Sequence, residues 1–281
     1  ISKKYNDYIF IINTPLISHL FRFSTFFRNI KIIYFVHGYR FHNQGNFFKN
    51  YFFKFLEIAF SYNTMAYINI NSYDYDFTIN QLNKKSLKIK GVGIDLKDKL
   101  YQTINPNRIF NIGVIGAYKK NKGYNDLIKI AQNKNLNKNI KFECYGYGNN
   151  SKYKFYLKKF NLNNVNLNSF TTNIFSAINK FDILLHLSYR EGLPVSLMQC
   201  LIRGKPVICY NIRGCVDLIS DGKNGYVIEL GNIEKVIDKI NYLSNNKENI
   251  NNLSINAYET INDEYSSKHI SQKILNYIQN I

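Results

Sequence analysis

The sequence predicts an α/β protein built from two doubly wound parallel sheets. Short apolar runs suited to buried parallel strands alternate with segments of helical periodicity along nearly the whole chain. A polar stretch over 95–108, which contains Pro106, interrupts this alternation. With 281 residues and an apolar content of 45%, the chain is long enough for two cores. We therefore expect two domains, residues 1–105 and 106–281, joined by the polar stretch.

The part of the chain before the polar stretch contains four strand patterns separated by three helix patterns. Pro15 marks the start of the first helix, because proline fits the first helical turn. Strands that alternate with helices favour a parallel sheet. In chain order the pattern predicts strand 7–13, helix 15–29, strand 31–37, helix 47–61, strand 66–71, helix 74–84 and strand 87–92.

The part after the polar stretch repeats the alternation and ends in helices. Because open α/β sheets bind ligands at the carboxyl ends of their strands, we expect loops of both domains to build one site. The pattern predicts strand 110–116, helix 123–134, strand 140–146, helix 151–160, strand 164–168, helix 173–180, strand 182–187, helix 194–203, strand 206–210 and strand 226–230, then helices to a last one near 267–280.

The composition narrows the function classes. A net charge of +18 favours phosphate-rich partners. A general compositional bias toward Lys, Asn and Ile explains the same charge equally well. No nucleic-acid recognition motif is found, so nucleic acid is not a predicted partner. No apolar run is long enough to span a bilayer. The four cysteines lack metal-ligand spacing and are predicted to be reduced core thiols of a cytoplasmic protein.

The stretch from Ser188 to Gln199 is the most informative one, because it predicts a strand, a polar loop and a short helix. Glu191 lies where the helix begins, and Gln199 follows eight positions later. Pro194 fits the first helical position. A unit of this kind can hold an anionic ligand over free backbone N–H groups and bind its hydroxyls with side chains.

Three further loops follow predicted strands and carry polar residues or glycines. The loop from Gly116 to Gly123 contains Lys122, whose ammonium could bind a phosphate. Arg213 and Gly214 form a turn after the strand 206–210, and an ordinary surface arginine is an equally good interpretation there. His37 ends a buried strand of the first domain.

Together these stretches resemble the retaining glycosyltransferases of family 4 (group 1), which have the GT-B fold of two Rossmann-like domains facing a cleft. The resemblance covers nearly the whole chain and is strongest over 184–230. It implies transfer of a sugar from a nucleotide-sugar donor with retention, as in enzymes of bacterial surface-polysaccharide biosynthesis. Those enzymes have strand–helix units before the point where this sequence starts, so the first domain is expected to be incomplete. The last helix is expected to pack back toward that domain.

The resemblance also implies roles for individual residues. Glu191 and His37 would hold the donor sugar, and Lys122 would stabilise the departing diphosphate. Two positions depart from the family pattern: Gln199 replaces the glutamate that binds the ribose, and Ala117 replaces an arginine of the diphosphate loop. The implied donor-binding residues are Gly116, Lys122, Gly123, Gly192, Leu193, Pro194, Gln199, Arg213 and Gly214.

The implied partners are a nucleotide sugar, with UDP favoured over GDP, and a lipid-linked saccharide acceptor. No cofactor and no metal are expected. The alternative hypothesis is a relic that binds nucleotide sugar without turnover, which both departures favour.

Two features of the first domain leave a structural and a functional interpretation open. Asp74 and Asp76 follow a predicted strand and could hold a metal, although acidic residues are also favoured at a helix start. The aromatic and basic helices 15–29 and 47–61 could contact an anionic membrane surface at its inner face or form an ordinary core. In the second of these helices, Asn50, Lys54 and Glu57 are predicted to form a polar stripe.

Overall fold

A computed structural model describes residues 8–42, 45–101 and 109–281. The chain divides into two compact units: one contains the described residues up to Gly93 together with Glu264–Ile281, and the other is Ile94–Asp263. Each unit has its own parallel sheet, so the predicted α/β class is confirmed. Residues 102–108 of the predicted linker lie outside the described residues, and 95–101 belong to the second unit.

The first unit contains a four-stranded sheet with the strands in chain order. The strands are β1 (Ile9–Ile12), β2 (Lys31–Val36), β3 (Ala66–Asn69) and β4 (Ser86–Lys88), and each pairs in parallel with the next. The crossovers are α1 (Pro15–Ser24), α2 (Phe47–Ser61) and α3 (Ser72–Asn80).

The second unit contains a six-stranded parallel sheet in the order β10-β9-β8-β5-β6-β7. This is the doubly wound order of nucleotide-binding folds, in which the direction of winding reverses between the first and fourth strands, here β5 and β8. The strands are β5 (Phe110–Ile115), β6 (Ile140–Tyr145), β7 (Val165–Asn168), β8 (Ile183–His186), β9 (Val207–Tyr210) and β10 (Gly225–Ile228).

Six helices of the second unit cover this sheet and follow its strands: α4 (Tyr124–Gln132), α5 (Ser151–Lys159), α6 (Ile174–Ile178), α7 (Val195–Leu201), α8 (Ile233–Asn245) and α9 (Lys247–Thr260). The last helix of the chain, α10 (Ser267–Gln279), belongs to the first unit. There Gly93 lies so close to the backbone of Ser267 that a Cβ at this glycine would collide with it.

The helix α1 ends at Ser24, about one turn before the predicted end at residue 29. Thr25 takes a non-helical conformation, and its hydroxyl donates to the Phe21 carbonyl oxygen at 2.7 Å. The Thr25 backbone N–H donates to the same oxygen at 3.0 Å, so the backbone and the hydroxyl share this carbonyl at the end of the helix.

The predicted polar stripe of α2 is wrong for Glu57, which is fully buried. Its carboxylate accepts from Arg22 Nη2 at 2.7 Å and lies 2.8 Å from His19 Nε2. Arg22 is itself buried under the ring of Tyr34, 4.6 Å from the ring centroid. Phe60 of α2 is buried and Phe53 packs against the core, whereas Phe48 and Phe52 on another side of the helix are 80% and 55% exposed.

Two sequence predictions concern the whole chain. The four cysteines are buried and unpaired, so the prediction of core thiols is confirmed. No helix within the described residues combines the length and the apolar character needed to cross a bilayer.

Candidate donor site at the carboxyl ends of the second sheet

The two loops that carry the predicted donor residues leave the sheet side by side. The strands β5 and β8 are neighbours in the sheet, although two other strands separate them in the chain. Loop 116–123 follows β5, and loop 187–194 follows β8. In open α/β sheets, ligand sites form at the carboxyl ends of strands where the winding reverses. Both loops begin at this place.

Lys122 and Glu191 are in direct contact. Lys122 Nζ donates to Glu191 Oε1 at 2.5 Å, and the two side chains are 25% and 13% exposed. A backbone hydrogen bond of 2.9 Å from Tyr189 N to Asn121 O joins the two loops beside this pair. A cation and a carboxylate that the sequence separates by 69 positions therefore share one site.

The Glu191 carboxylate has a second neighbour, the imidazole of His186, at the end of β8. His186 Nε2 lies 3.2 Å from Glu191 Oε1, within ion-pair distance, although its orientation does not make a hydrogen bond. Burial alone would raise the pKa of Glu191, but His186 and then Lys122 outweigh it and lower the pKa to about 2. The group is therefore a carboxylate at neutral pH.

Lys122 Nζ and His186 Nε2 both approach the same oxygen, Oε1, of Glu191. Within the described part of the chain, Oε2 has no hydrogen-bond or ion-pair partner. The carboxylate is thus held through one oxygen and presents the other. An ionised carboxylate is an acceptor only, so Oε2 is suited to accept hydrogen bonds from hydroxyl groups.

The turn after β9 holds the backbone of the Glu191 loop in place. Arg213 Nε donates to the Glu191 carbonyl oxygen at 3.1 Å, and Arg213 is only 9% exposed. The interpretation of Arg213 as a surface arginine is therefore wrong. Gly214 has a φ of +79°, and a Cβ there would collide with the Gly192 carbonyl oxygen. Glycine satisfies both the left-handed conformation and the close approach.

Glycine has a similar function in the Lys122 loop. Gly123 has a φ of +77°, and a Cβ there would collide with the carbonyl of Leu187 at the start of the other loop. At Gly116 a Cβ would lie at ordinary contact distance from the Lys122 stem, 3.6 Å from its Cδ, so no close approach requires glycine there. The lysine side chain nonetheless lies close over the end of β5.

A buried carboxylate that sequence reasoning missed ties α4 to the strand ends. Asp126 Oδ2 accepts hydrogen bonds from the phenol of Tyr189 at 2.6 Å and of Tyr210 at 2.9 Å. Burial, and then Asp126, raises the pKa of Tyr189 to about 12. No sequence spacing predicts this contact, because its members lie 63 and 84 positions apart.

A cavity of about 270 Å³ lies beside the Lys122 loop, near the lower end of the size range of small-molecule sites. It contains two predicted donor residues, Gly116 and Gln199. Sequence reasoning missed the segment after β7, which has no glycine motif. The lining residues are Ile115, Gly116, Ala117, Tyr145, Gly146, Tyr147, Phe170, Thr171, Thr172, Ile174 and Gln199.

A second cavity, of about 460 Å³, lies on α4 and shares no lining residue with the first. Lys120, Asn121 and Tyr189 contribute from the two loops, and Asn125, Asp126 and Lys129 from the helix.

A comparison with protein families matches residues 102–260 to the profile of glycosyl transferases group 1. The match covers more than half of the chain. The chain belongs to this family. The matched segment includes both loops described above, so the Lys122–Glu191 pair lies in the part of this group 1 glycosyltransferase that matches the family.

Two curated relatives of this group 1 glycosyltransferase are themselves bacterial glycosyltransferases by name. The Poly(ribitol-phosphate) alpha-N-acetylglucosaminyltransferase of Staphylococcus aureus (strain COL) is 33% identical over 140 residues, which are 49% of this chain and 28% of the relative. The UDP-Gal:alpha-D-GlcNAc-diphosphoundecaprenol alpha-1,3-galactosyltransferase of Escherichia coli is 22% identical over 254 residues, 82% of this chain and 66% of the relative. This chain therefore spans only part of either protein.

Among solved structures, that of Anabaena HepE in complex with UDP and glucose has a TM-score of 0.82 to this chain. The identity is 15%, and the likeness covers 100% of this chain and 80% of HepE. At this identity the likeness concerns the fold alone, and it confirms the GT-B class of this group 1 glycosyltransferase.

The prediction that Pro194 is the first residue of its helix is wrong. Pro194 is the residue before α7 rather than its first residue, and as a proline it has no N–H to offer. The amides that can face a ligand are therefore those of Gly192 and Leu193, which make no hydrogen bond within the described residues.

The remaining predicted residues lie in the first unit of this group 1 glycosyltransferase. His37 follows β2, is half-buried and packs edge-on against Phe35, with 4.4 Å between ring centroids. Its burial lowers the pKa, which favours the neutral imidazole. A position facing the donor sugar stays a prediction.

Asp74 has a structural role at the start of α3. Its backbone N–H donates to Asn71 Oδ1 at 2.9 Å, and its carboxylate accepts from Asn71 Nδ2 at 2.7 Å. This reciprocal pair caps the helix. Within the described ranges, no group of three or more His, Cys, Asp or Glu residues could hold a metal.

Proposed function

We propose that this chain transfers a sugar from a nucleotide-sugar donor, with retention as in family 4, to a lipid-linked saccharide in bacterial surface-glycan biosynthesis. The observation that carries the proposal is the Lys122–Glu191 pair at the reversal point of the second sheet, beside a cavity of about 270 Å³. Family membership supports the reaction class, and the names of the two curated relatives support a surface glycan.

In this proposal the donor lies across the two loops. The nucleoside occupies the cavity, with Gln199 on the ribose. The diphosphate meets the Lys122 ammonium and the amides of Gly192 and Leu193, which stabilise the charge that develops as the nucleotide leaves. Glu191 Oε2 accepts from sugar hydroxyls. UDP is favoured over GDP because the E. coli relative is named for UDP-Gal and HepE was solved with UDP.

The acceptor contact is assigned to the first unit. His37 would face the donor sugar from the acceptor side, and the neutral imidazole that its lowered pKa favours can accept a proton or a hydrogen bond. The class of enzyme is a hexosyltransferase without a metal or other cofactor. This part of the proposal rests on the family resemblance.

A peripheral contact with an anionic membrane belongs to the same proposal, because a lipid-linked acceptor is held at a membrane. The α2 face that carries Phe48 and Phe52 is exposed. Between Tyr8 and Tyr73, Glu57 is the one acidic residue in the sequence, and it is buried. The cations of that stretch are Arg22, Arg28, Lys31, Arg40, Lys49 and Lys54. Exposed aromatics among cations favour the cytoplasmic surface of a membrane.

The alternative is a relic that binds nucleotide sugar without turnover. Gln199 and Ala117 favour it, since both replace residues that contact the donor in the resembling enzymes. Ala117 lines the same cavity and is buried, so it offers no charge to a diphosphate.

The deciding experiment measures transfer and hydrolysis of radiolabelled UDP-sugars by the wild-type protein and by Lys122→Ala. Loss of one charge-stabilising donor should lower the rate about 100-fold. The matched control is Lys152→Ala, an exposed lysine on α5, which should leave the rate unchanged. A chelator should also have no effect.

An unchanged rate in Lys122→Ala would remove this lysine from the mechanism. Calorimetry that shows UDP binding by the wild-type protein, with neither transfer nor hydrolysis, would select the relic instead.

A further inference from the structure

His186 is a buried histidine that neither the sequence motifs nor the proposed donor contacts use. Its side chain is 3% exposed, and it is the last residue of β8, the strand beside the reversal point. Nε2 is buried without a hydrogen-bond partner in the described chain, yet it lies 3.2 Å from Glu191 Oε1. A buried polar atom in this state usually has a function, because leaving it unsatisfied costs free energy.

The two side chains whose nitrogens contact Glu191 differ in how firmly they are held. Lys122 lies on a loop, has a long flexible stem and is 25% exposed. His186 has a short ring side chain on a strand that is hydrogen-bonded on both sides, by β5 and β9. When a diphosphate arrives, the ammonium of Lys122 is attracted to it and is shared or withdrawn from Glu191. The imidazole of His186 cannot follow.

We propose that His186 is a positioning residue: its Nε2, which lies 3.2 Å from Oε1 of Glu191 without a hydrogen bond, becomes the hydrogen-bond donor to that oxygen when Lys122 engages the diphosphate, so that Oε2 stays aimed at the sugar hydroxyls. The inference rests on the proposed function, since it assumes that Glu191 contacts the sugar. It assigns different roles to the two side chains: the imidazole of His186 orients the Glu191 carboxylate, and the ammonium of Lys122 binds the leaving diphosphate.

The geometry makes a specific demand on the side chain at position 186. A donor must stand where Nε2 stands, two bonds beyond the position of Nδ1. Glutamine can place an amide nitrogen near the Nε2 position, whereas asparagine reaches only the Nδ1 position and leucine offers no donor. The three variants H186Q, H186N and H186L therefore separate donor position from packing.

The experiment compares the affinity of each variant for UDP and for UDP-glucose or UDP-N-acetylglucosamine by calorimetry, together with kcat and KM for donor hydrolysis. H186N and H186L should lose about tenfold or more in kcat/KM, the scale of one hydrogen bond to a charged group. The ratio of their affinity for the UDP-sugar to their affinity for UDP should fall by the same factor. Their affinity for UDP itself should not change, because UDP lacks the sugar. H186Q should retain most of both.

Three outcomes would overturn the inference. In the first, all three variants behave as the wild type. In the second, H186Q loses as much kcat/KM and UDP-sugar affinity as H186N, and in the third the affinity for UDP falls in parallel with that for the UDP-sugar. The second and third outcomes would indicate a packing role. If H186L and H186N do not fold while H186Q does, packing is again the answer. A wild-type protein that gains no affinity from the sugar would instead contradict the proposed function, and the inference with it.

Discussion

Glu191 is ionised because its contacts with His186 and Lys122 outweigh the effect of burial and lower its pKa to about 2. The ordinary pKa of glutamate is about 4.3. A lowered pKa in the folded state contributes stability above the unfolded value, and this contribution is lost as the pH falls toward about 2.

Glu191→Gln removes this contribution, so the stability difference between wild type and variant should depend on pH. The free energy of unfolding, measured in urea, should differ more at about pH 6 than at about pH 3. The control is Glu259→Gln on the exposed side of α9. A difference that does not change with pH would contradict the coupling of Glu191 to Lys122 and His186.

Gln199 is the proposed ribose-binding residue, and at this position the chain departs from the family it resembles. Because a carboxylate accepts hydrogen bonds about twice as strong as those to a neutral amide, Gln199→Glu should tighten UDP binding by about tenfold. Calorimetry with UDP measures the change. An unchanged or weaker affinity would place the ribose elsewhere than at Gln199, and Gln199→Met should weaken binding if the amide is in contact.

At the scale of residues, the sequence predicts the members of the site that a motif marks. Lys122 and Glu191 could be found because glycines and a proline define their loops. His186 and Asp126 could not, since their roles depend on which strand ends become neighbours. Phe170 was missed for the same reason, as β7 is two strands away from β5 in the sheet but 50 positions away in the chain.

At the scale of elements, alternation predicts the strands and helices well but not which face of a helix meets the core. The helix α2 is apolar on most sides, so its few polar residues were expected outside. Instead Glu57 pairs inward with Arg22, because each compensates the burial of the other. Sequence spacing predicts which residues share one face of a helix. Whether that face of α2 meets the core or solvent depends on its contact with α1.

The loops of the site depend on glycines for two reasons, a left-handed backbone conformation and close contact with neighbouring backbone. Substitution of two matched glycines separates the effects of these two on stability. Gly214 and Gly222 both have a positive φ, +79° and +72°, but only Gly214 faces a backbone carbonyl. Gly222→Ala should lower the free energy of unfolding by about 1 kcal/mol, the cost of a left-handed alanine. Gly214→Ala should lower it further, because the Gly192 backbone must also move.

Urea unfolding of both variants measures this difference. Equal effects would contradict the close packing of the turn at Gly214 against the Glu191 loop.

At the scale of the molecule, the alternating pattern predicted two parallel sheets, and the second has the strand order typical of nucleotide sites. The sequence leaves two interpretations of the aromatic residues of α2 open, a membrane-facing surface and an ordinary core. The packing of the first unit places Phe48 and Phe52 in solvent.

The net charge of +18 and this aromatic surface predict binding to anionic vesicles. Binding should exceed that to neutral vesicles and fall with salt. Phe48→Ser and Phe52→Ser should each weaken it by about tenfold, the scale of burying one aromatic side chain. The control is Phe155→Ser on α5, which is 60% exposed in the second unit. Co-sedimentation measures binding, and equal losses in all three variants would contradict a surface specific to α2.

The thiol next to Gly214 gives the chain an internal reporter. Cys215 is fully buried, and this burial, together with contact to Cys209, raises the pKa of its thiol. Since only an exposed thiolate reacts with maleimide, labelling of Cys215 requires the turn to open. The other three cysteines are buried as well, so the background of fast labelling is low. The labelling rate of Cys215 itself therefore measures how often this turn opens, and under the proposed function a bound nucleotide should slow it without any engineered probe.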